Sequence, residues 1–102
     1  MNRTIKTSNF KSGSIKQKAF AEDILNSTYE AALCDLRNLE AGDEMHIPKV
    51  ARWADNKRAI IAGIEELVGK KFSAKSVIEA SEPGRAIYYQ DKCWKIDLNA
   101  IK

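Results

Sequence analysis

Apolar side chains recur at Ile15, Ala19, Phe20, Ile24, Leu25, Ala32, Leu33, Leu36 and Leu39, with Tyr29 filling the gap. These steps of three and four residues mark one stripe of a helix about seven turns long. Ser14, followed three residues later by Gln17, fits a capping box in which each side chain satisfies a backbone N–H of the first turn. Gly42, directly after Ala41, reads as a left-handed stop. At 1.5 Å per residue such a helix is roughly 40 Å long, so it either braces the whole of a second layer or projects and pairs with something else.

A chain of 102 residues has the size of one domain and can bury a modest core without disulfides or metals. With 44% hydrophobic and 30% charged residues it has the composition of an ordinary soluble protein. No apolar run approaches the eighteen or so residues of a membrane span, and the N-terminus lacks the apolar core of a signal peptide, so a cytoplasmic protein with no membrane partner is expected. Cys34 and Cys93 stand far apart without a C-x-x-C partner and read as buried small apolar residues.

The net charge of +3 conceals blocks. Residues 1–20 carry Arg3, Lys6, Lys11, Lys16 and Lys18 with no acid, residues 21–47 are strongly acidic, and residues 48–78 are basic again. Basic blocks suit a nucleic acid, and an acidic helix suits a basic protein.

Residues 1–13 hold only Ile5 and Phe10 as large apolar side chains and read as a flexible basic arm or a short edge strand ahead of a single domain over residues 14–102. After Gly42, residues 43–47 alternate polar and apolar and stop at Pro48, the pattern of a short half-buried strand with Met45 and Ile47 inward. Residues 48–56 fit either a short helix or a packed loop. Asp55 or Asn56 would cap a second helix with Ile60, Ile61, Ile64, Leu67 and Val68 on one face, ended by Gly69. Gly63 within it reads as a close-packing point against Trp53 or the first helix. Residues 71–78 read as a strand, residues 81–84 as a turn, and residues 86–89 and 93–96 as a hairpin. The order α-β-α-β-β-β predicts an α+β fold: a long N-terminal helix and a second helix packed on a small antiparallel sheet.

Leu39 with the run Gly42-Asp43-Glu44-Met45-His46-Ile47-Pro48, the helix opening near Asn56-Lys57-Arg58, the run Gly69-x-Lys71-Phe72-Ser73 and the terminal Trp94 together resemble a group of small bacteriophage and prophage proteins. The resemblance covers about residues 39–97. This chain departs from it in a longer connection over residues 79–84, an extra strand, and Lys95 where such proteins carry Arg beside the terminal Trp. The opening of the first helix, residues 13–21, is similar to a segment of phage and plasmid accessory proteins. What the resemblance implies is a mobile-element origin, where genes of this size often encode anti-defence inhibitors or nucleic-acid-binding accessory proteins.

Catalysis is not expected. His46 is the sole histidine, and no local spacing sets Cys34, Cys93 or carboxylates beside it as metal ligands, so neither metal nor cofactor is expected. The neighbouring carboxylates Glu65-Glu66 and Asp43-Glu44 point apart on a helix or strand and do not converge on an acid/base site. The strongest signal is the basic set Arg52, Lys57, Arg58, Lys70, Lys71 and Lys75 as a nucleic-acid or partner-binding surface, with Lys57 and Arg58 at the positive end of the second helix. Trp53, Tyr88 and Tyr89 are the candidate aromatic anchors for a protein partner. A helix-turn-helix over residues 48–68, with residues 88–94 as a wing, ranks lower, because Glu65 and Glu66 on its recognition helix would repel phosphate. The expected function is therefore binding. The leading form is an anti-CRISPR type inhibitor of a host defence protein or nucleoprotein complex in the bacterial cytoplasm. The alternative is a nucleic-acid-binding accessory or regulatory protein.

Overall fold

Ser14 starts the first helix as its spacing from Gln17 requires. Its hydroxyl accepts the Gln17 backbone N–H at 3.1 Å, and the Gln17 side chain accepts the Ser14 N–H at 3.0 Å. The resulting helix α1 spans Ile15–Ala41. The computed structural model describes residues 5–81, 96 and 98–102. Around α1 these form strand β1 (Phe10–Ser12), helix α2 (Pro48–Leu67), strand β2 (Phe72–Ser73), helix α3 (Ala74–Ala80) and short 3-10 turns at Thr7–Asn9 and Leu98–Ala100.

The α+β layer with an antiparallel sheet is not what forms. Among the described residues three helices dominate, and the one sheet is a two-stranded parallel pair, β1 on β2, with Phe10 opposite Phe72 and Ser12 opposite Ser73. Parallel neighbours need a crossover, and here the α1–α2 hairpin is that crossover. The two helices run antiparallel: Tyr29 in the middle of α1 meets Glu65 near the end of α2, whereas Glu40 at the end of α1 meets Arg58 nearer the start of α2.

Each departure has a local cause. Residues 43–47 are a turn rather than a strand: the Ile47 N–H bonds to the Glu44 carbonyl at 2.9 Å, and His46 and Ile47 stay exposed. Gly42 ends α1 in an extended conformation (φ −75°), not a left-handed one. Residues 48–56 are helical, with Pro48 in the first turn of α2, where its missing N–H removes no helical bond. Asp55 and Asn56 therefore cap nothing, and the unbroken α2 leaves no turn for a helix-turn-helix. The strand expected over residues 71–78 forms only at Phe72–Ser73: the Ser73 side chain accepts the Ser76 N–H at 3.4 Å and starts α3, which buries Ala74 and Val77. The hairpin expected over residues 86–89 and 93–96 falls outside the described residues except at Ile96, which makes an antiparallel bridge with Ser81.

The core lies where α1, the last half of α2, α3 and the β1–β2 pair meet. Ile24, Leu25, Ile64, Phe72 and Val77 are buried there, and Phe10 stands edge-on to Phe72 with ring centroids 5.2 Å apart. The basic N-terminal segment joins this core through Ile5 and Phe10. Asn26 holds Ile5 in place from α1, accepting its N–H at 2.8 Å and donating to its carbonyl at 3.0 Å, as a neighbouring strand would. Asn9 donates to the Val68 and Lys70 carbonyls at 2.8 and 3.1 Å, covering acceptors that the end of α2 leaves open.

Gly63 does serve close packing, but its partner is Leu98: a Cβ there would lie 2.5 Å from the Leu98 Cδ1. At Gly13 both space and backbone demand glycine, since φ is +129° and a Cβ would approach that of buried Ala74 to 2.9 Å. Gly13→Ala is expected to lower stability by about 1–3 kcal/mol, read as a reduced urea midpoint at unchanged slope. Thr28 faces the core at 1% exposure, and among the described residues its hydroxyl has no hydrogen-bond partner. Thr28→Val keeps the shape and removes that buried orphan, so it is expected to raise stability by about 1 kcal/mol in the same assay.

Candidate binding surfaces

The apolar stripe of α2 passes through Val50, Ala54, Ile61, Ile64 and Val68, and the step between Ala54 and Ile61 falls on Lys57. That lysine lies against α1, its side chain only 16% exposed, with its ammonium 3.1 Å from Asp35. One residue on, Arg58 reaches Glu40 at 3.3 Å and Asp55 at 2.9 Å. Tyr29 donates to Glu65 at 2.7 Å farther along the same seam. Lys57 and Arg58 thus stitch α1 to α2 from the middle of a helix. The expected pairing of these two cations with a helix N-terminus is not present, because α2 begins nine residues before Lys57, at Pro48.

Arg52 and Trp53 do share a surface. Lys49, Arg52, Trp53 and Asn56 follow at i, i+3, i+4 and i+7, and all four are exposed on one flank of α2 near the hairpin tip. Trp53 keeps 46% of its surface open, and the Lys49 ammonium sits 5.2 Å from its ring centroid. Tyr88 and Tyr89 lie outside the described residues, so of the three aromatic anchors only Trp53 is placed.

Lys70, Lys71 and Lys75 lie near the far end of the hairpin, beyond the last turn of α2. Lys70 is 3.4 Å from Glu66, Lys71 donates to the Ser8 carbonyl, and Lys75 projects from the first turn of α3. An open cavity of about 450 Å³ adjoins them, with Leu67, Phe72, Leu98 and Ile101 lining it and Lys70, Lys71 and Glu66 around it. The six nominated cations therefore divide into three places: the seam, the tip face and the far end. Their sign was legible in the basic blocks, but no pattern of residues signalled this division.

Cys34 is exposed on the outside of α1, which corrects its reading as a buried residue, and Cys93 lies outside the described residues. Among the described residues no group of three His, Cys, Asp or Glu side chains is placed to hold a metal ion, and no helix is long and apolar enough to cross a membrane. Comparison with protein-family models, curated proteins and solved structures returned no match.

The division predicts different outcomes for neighbouring cations. Lys57→Gln leaves Asp35 half-enclosed without its ammonium and is expected to lower stability by about 1 kcal/mol. Arg52→Gln is expected to stay within about 0.5 kcal/mol of the parent. Parallel urea melts of the two variants check this.

Proposed function

We propose that this chain is a non-catalytic binding protein of phage or mobile-element kind that inhibits a host defence nucleoprotein complex, in the manner of an anti-CRISPR, within the bacterial cytoplasm. The observation that carries the reading is Trp53, a large aromatic side chain left 46% exposed on a rigid helix and flanked by Lys49 and Arg52. Exposed Trp beside Arg is the composition of an interface anchor, where one aromatic ring in a partner's pocket supplies much of the binding energy. The two cations give the face a preference for an acidic rim on the partner. The resemblance carried by residues 39–97 and the segregation of charge along the chain support the choice of a defence complex as the target.

The test uses the full chain and a purified RNA-guided effector complex, with affinity measured by calorimetry and inhibition by target cleavage. Trp53→Ala is expected to bind about 30-fold more weakly, or roughly 2 kcal/mol, with a matching loss of inhibition. Absence of any complex with effectors from the hosts of such elements removes the inhibitor reading. Unchanged binding by Trp53→Ala removes the face.

A further inference from the structure

The pairing of β1 with β2 joins two basic segments that are separate in sequence. Lys11 lies in β1 beside Phe10, whose partner Phe72 directly follows Lys71. The Lys71 ammonium donates to the Ser8 carbonyl, and Asn9 bonds to the carbonyl of Lys70. Gly13 presses against Ala74, which sets Lys16 in the first turn of α1 near Lys75 in the first turn of α3. Lys6, Lys11, Lys16, Lys70, Lys71 and Lys75 thus gather at one end of the molecule, all exposed. Among the described side chains the carboxylates of this end are Glu66, already 3.4 Å from Lys70, and Glu79, one turn along α3 from Lys75. The first turn of α1 holds no acid, so its positive end adds to the same field.

From this gathering we infer that the β1–β2 end is a docking surface for the phosphate backbone of duplex nucleic acid, separate from the Trp53 face at the hairpin tip. Among the described residues every cation in it is lysine, a point charge suited to phosphate, with no arginine fork to read base edges. Phe10 and Phe72, the rings of the β1–β2 pair, are buried and present no stacking platform for single-stranded bases. The contact is therefore independent of base sequence. An anionic lipid surface is the other polyanion such lysines attract. Here the exposed apolar side chains of α1, Ile15 and Phe20, point about 140° apart around the helix, with Lys16 between them. That arrangement does not make one insertable face.

The experiment is fluorescence anisotropy of the full chain with a labelled random duplex of about 25 base pairs, titrated at ionic strengths from about 0.03 to 0.3 M. Micromolar binding is expected at low salt, with log K falling against log salt by about 0.9 for each phosphate neutralised. Combining Lys11→Gln, Lys16→Gln, Lys70→Gln and Lys75→Gln should make that slope shallower by about 3.6 and weaken low-salt binding at least tenfold. The same four positions as Lys→Arg should keep both. Arg37→Gln removes a cation elsewhere and should leave the slope unchanged, whereas Lys11→Gln with Lys75→Gln should reduce it by nearly 2. No duplex binding by the parent chain at low salt overturns the inference, as does a slope indifferent to the four lysines. Binding to phosphatidylserine vesicles in place of duplex also overturns it. Because Trp53 is intact in all these variants, loss of duplex binding with retained effector binding separates this surface from the one at the tip.

Discussion

The edge-to-face contact of Phe10 on Phe72 is the interaction on which the arrangement of the other elements depends. Strands of three and two residues form too few hydrogen bonds to persist alone in water. They persist because the two rings are buried together under α1 and α3, where each removes a large apolar area from solvent. Once they meet, the segment before α1 is fixed to the segment after α2, and the helical hairpin between them has both ends tied. Asn9 and Asn26 reinforce the tie with backbone hydrogen bonds that neither helix satisfies internally. Ion pairs along the α1–α2 seam then set how the two helices lie against each other.

The parts legible in the sequence were those specified locally. The capping box at Ser14 and Gln17 and the long 3.6-residue periodicity located α1 almost to the residue, because every signal for it lies within the helix. The start of α2 was hidden by one substitution in its pattern: Lys57 occupies a position of the apolar stripe, and its ion pair with Asp35 across the hairpin helps make that placement favourable. Residues 71–78 misled in the opposite sense. Phe72 and Val77 have the composition of a strand, but Ser73 at a capping position together with the spacing of Ala74, Val77 and Ile78 favours a short helix. The alternation over residues 43–47 was too short to mean a strand without a neighbour to pair with.

Candidate surfaces were less legible than the fold, for a related reason. A cation's sign can be read from one letter, but whether it is engaged depends on what another segment brings to it. Lys57 and Lys75 look alike in a charge profile. In the fold one is held by Asp35 inside the helical seam, and the other faces solvent beside lysines from the start of the chain. Likewise Trp53 read as an anchor from its type alone, and its exposure follows from its position on the flank of α2, about 60° around the helix from Val50 and about 100° from Ala54.

The parallel tie between β1 and β2 also bears on the order in which the protein can be completed. Asn9 and Lys70 are 61 residues apart, so the N-terminal segment emerges from the ribosome long before its partner does. Helices α1 and α2 rest largely on local contacts and can pair as soon as both are outside, whereas β1 must wait for Phe72. In that interval Ile5 and Phe10 are uncovered and a strand edge is open, the kind of surface that chaperones bind and that self-associates. A chain interrupted within α2 would remain in that condition permanently, because the residue that closes it has not been made.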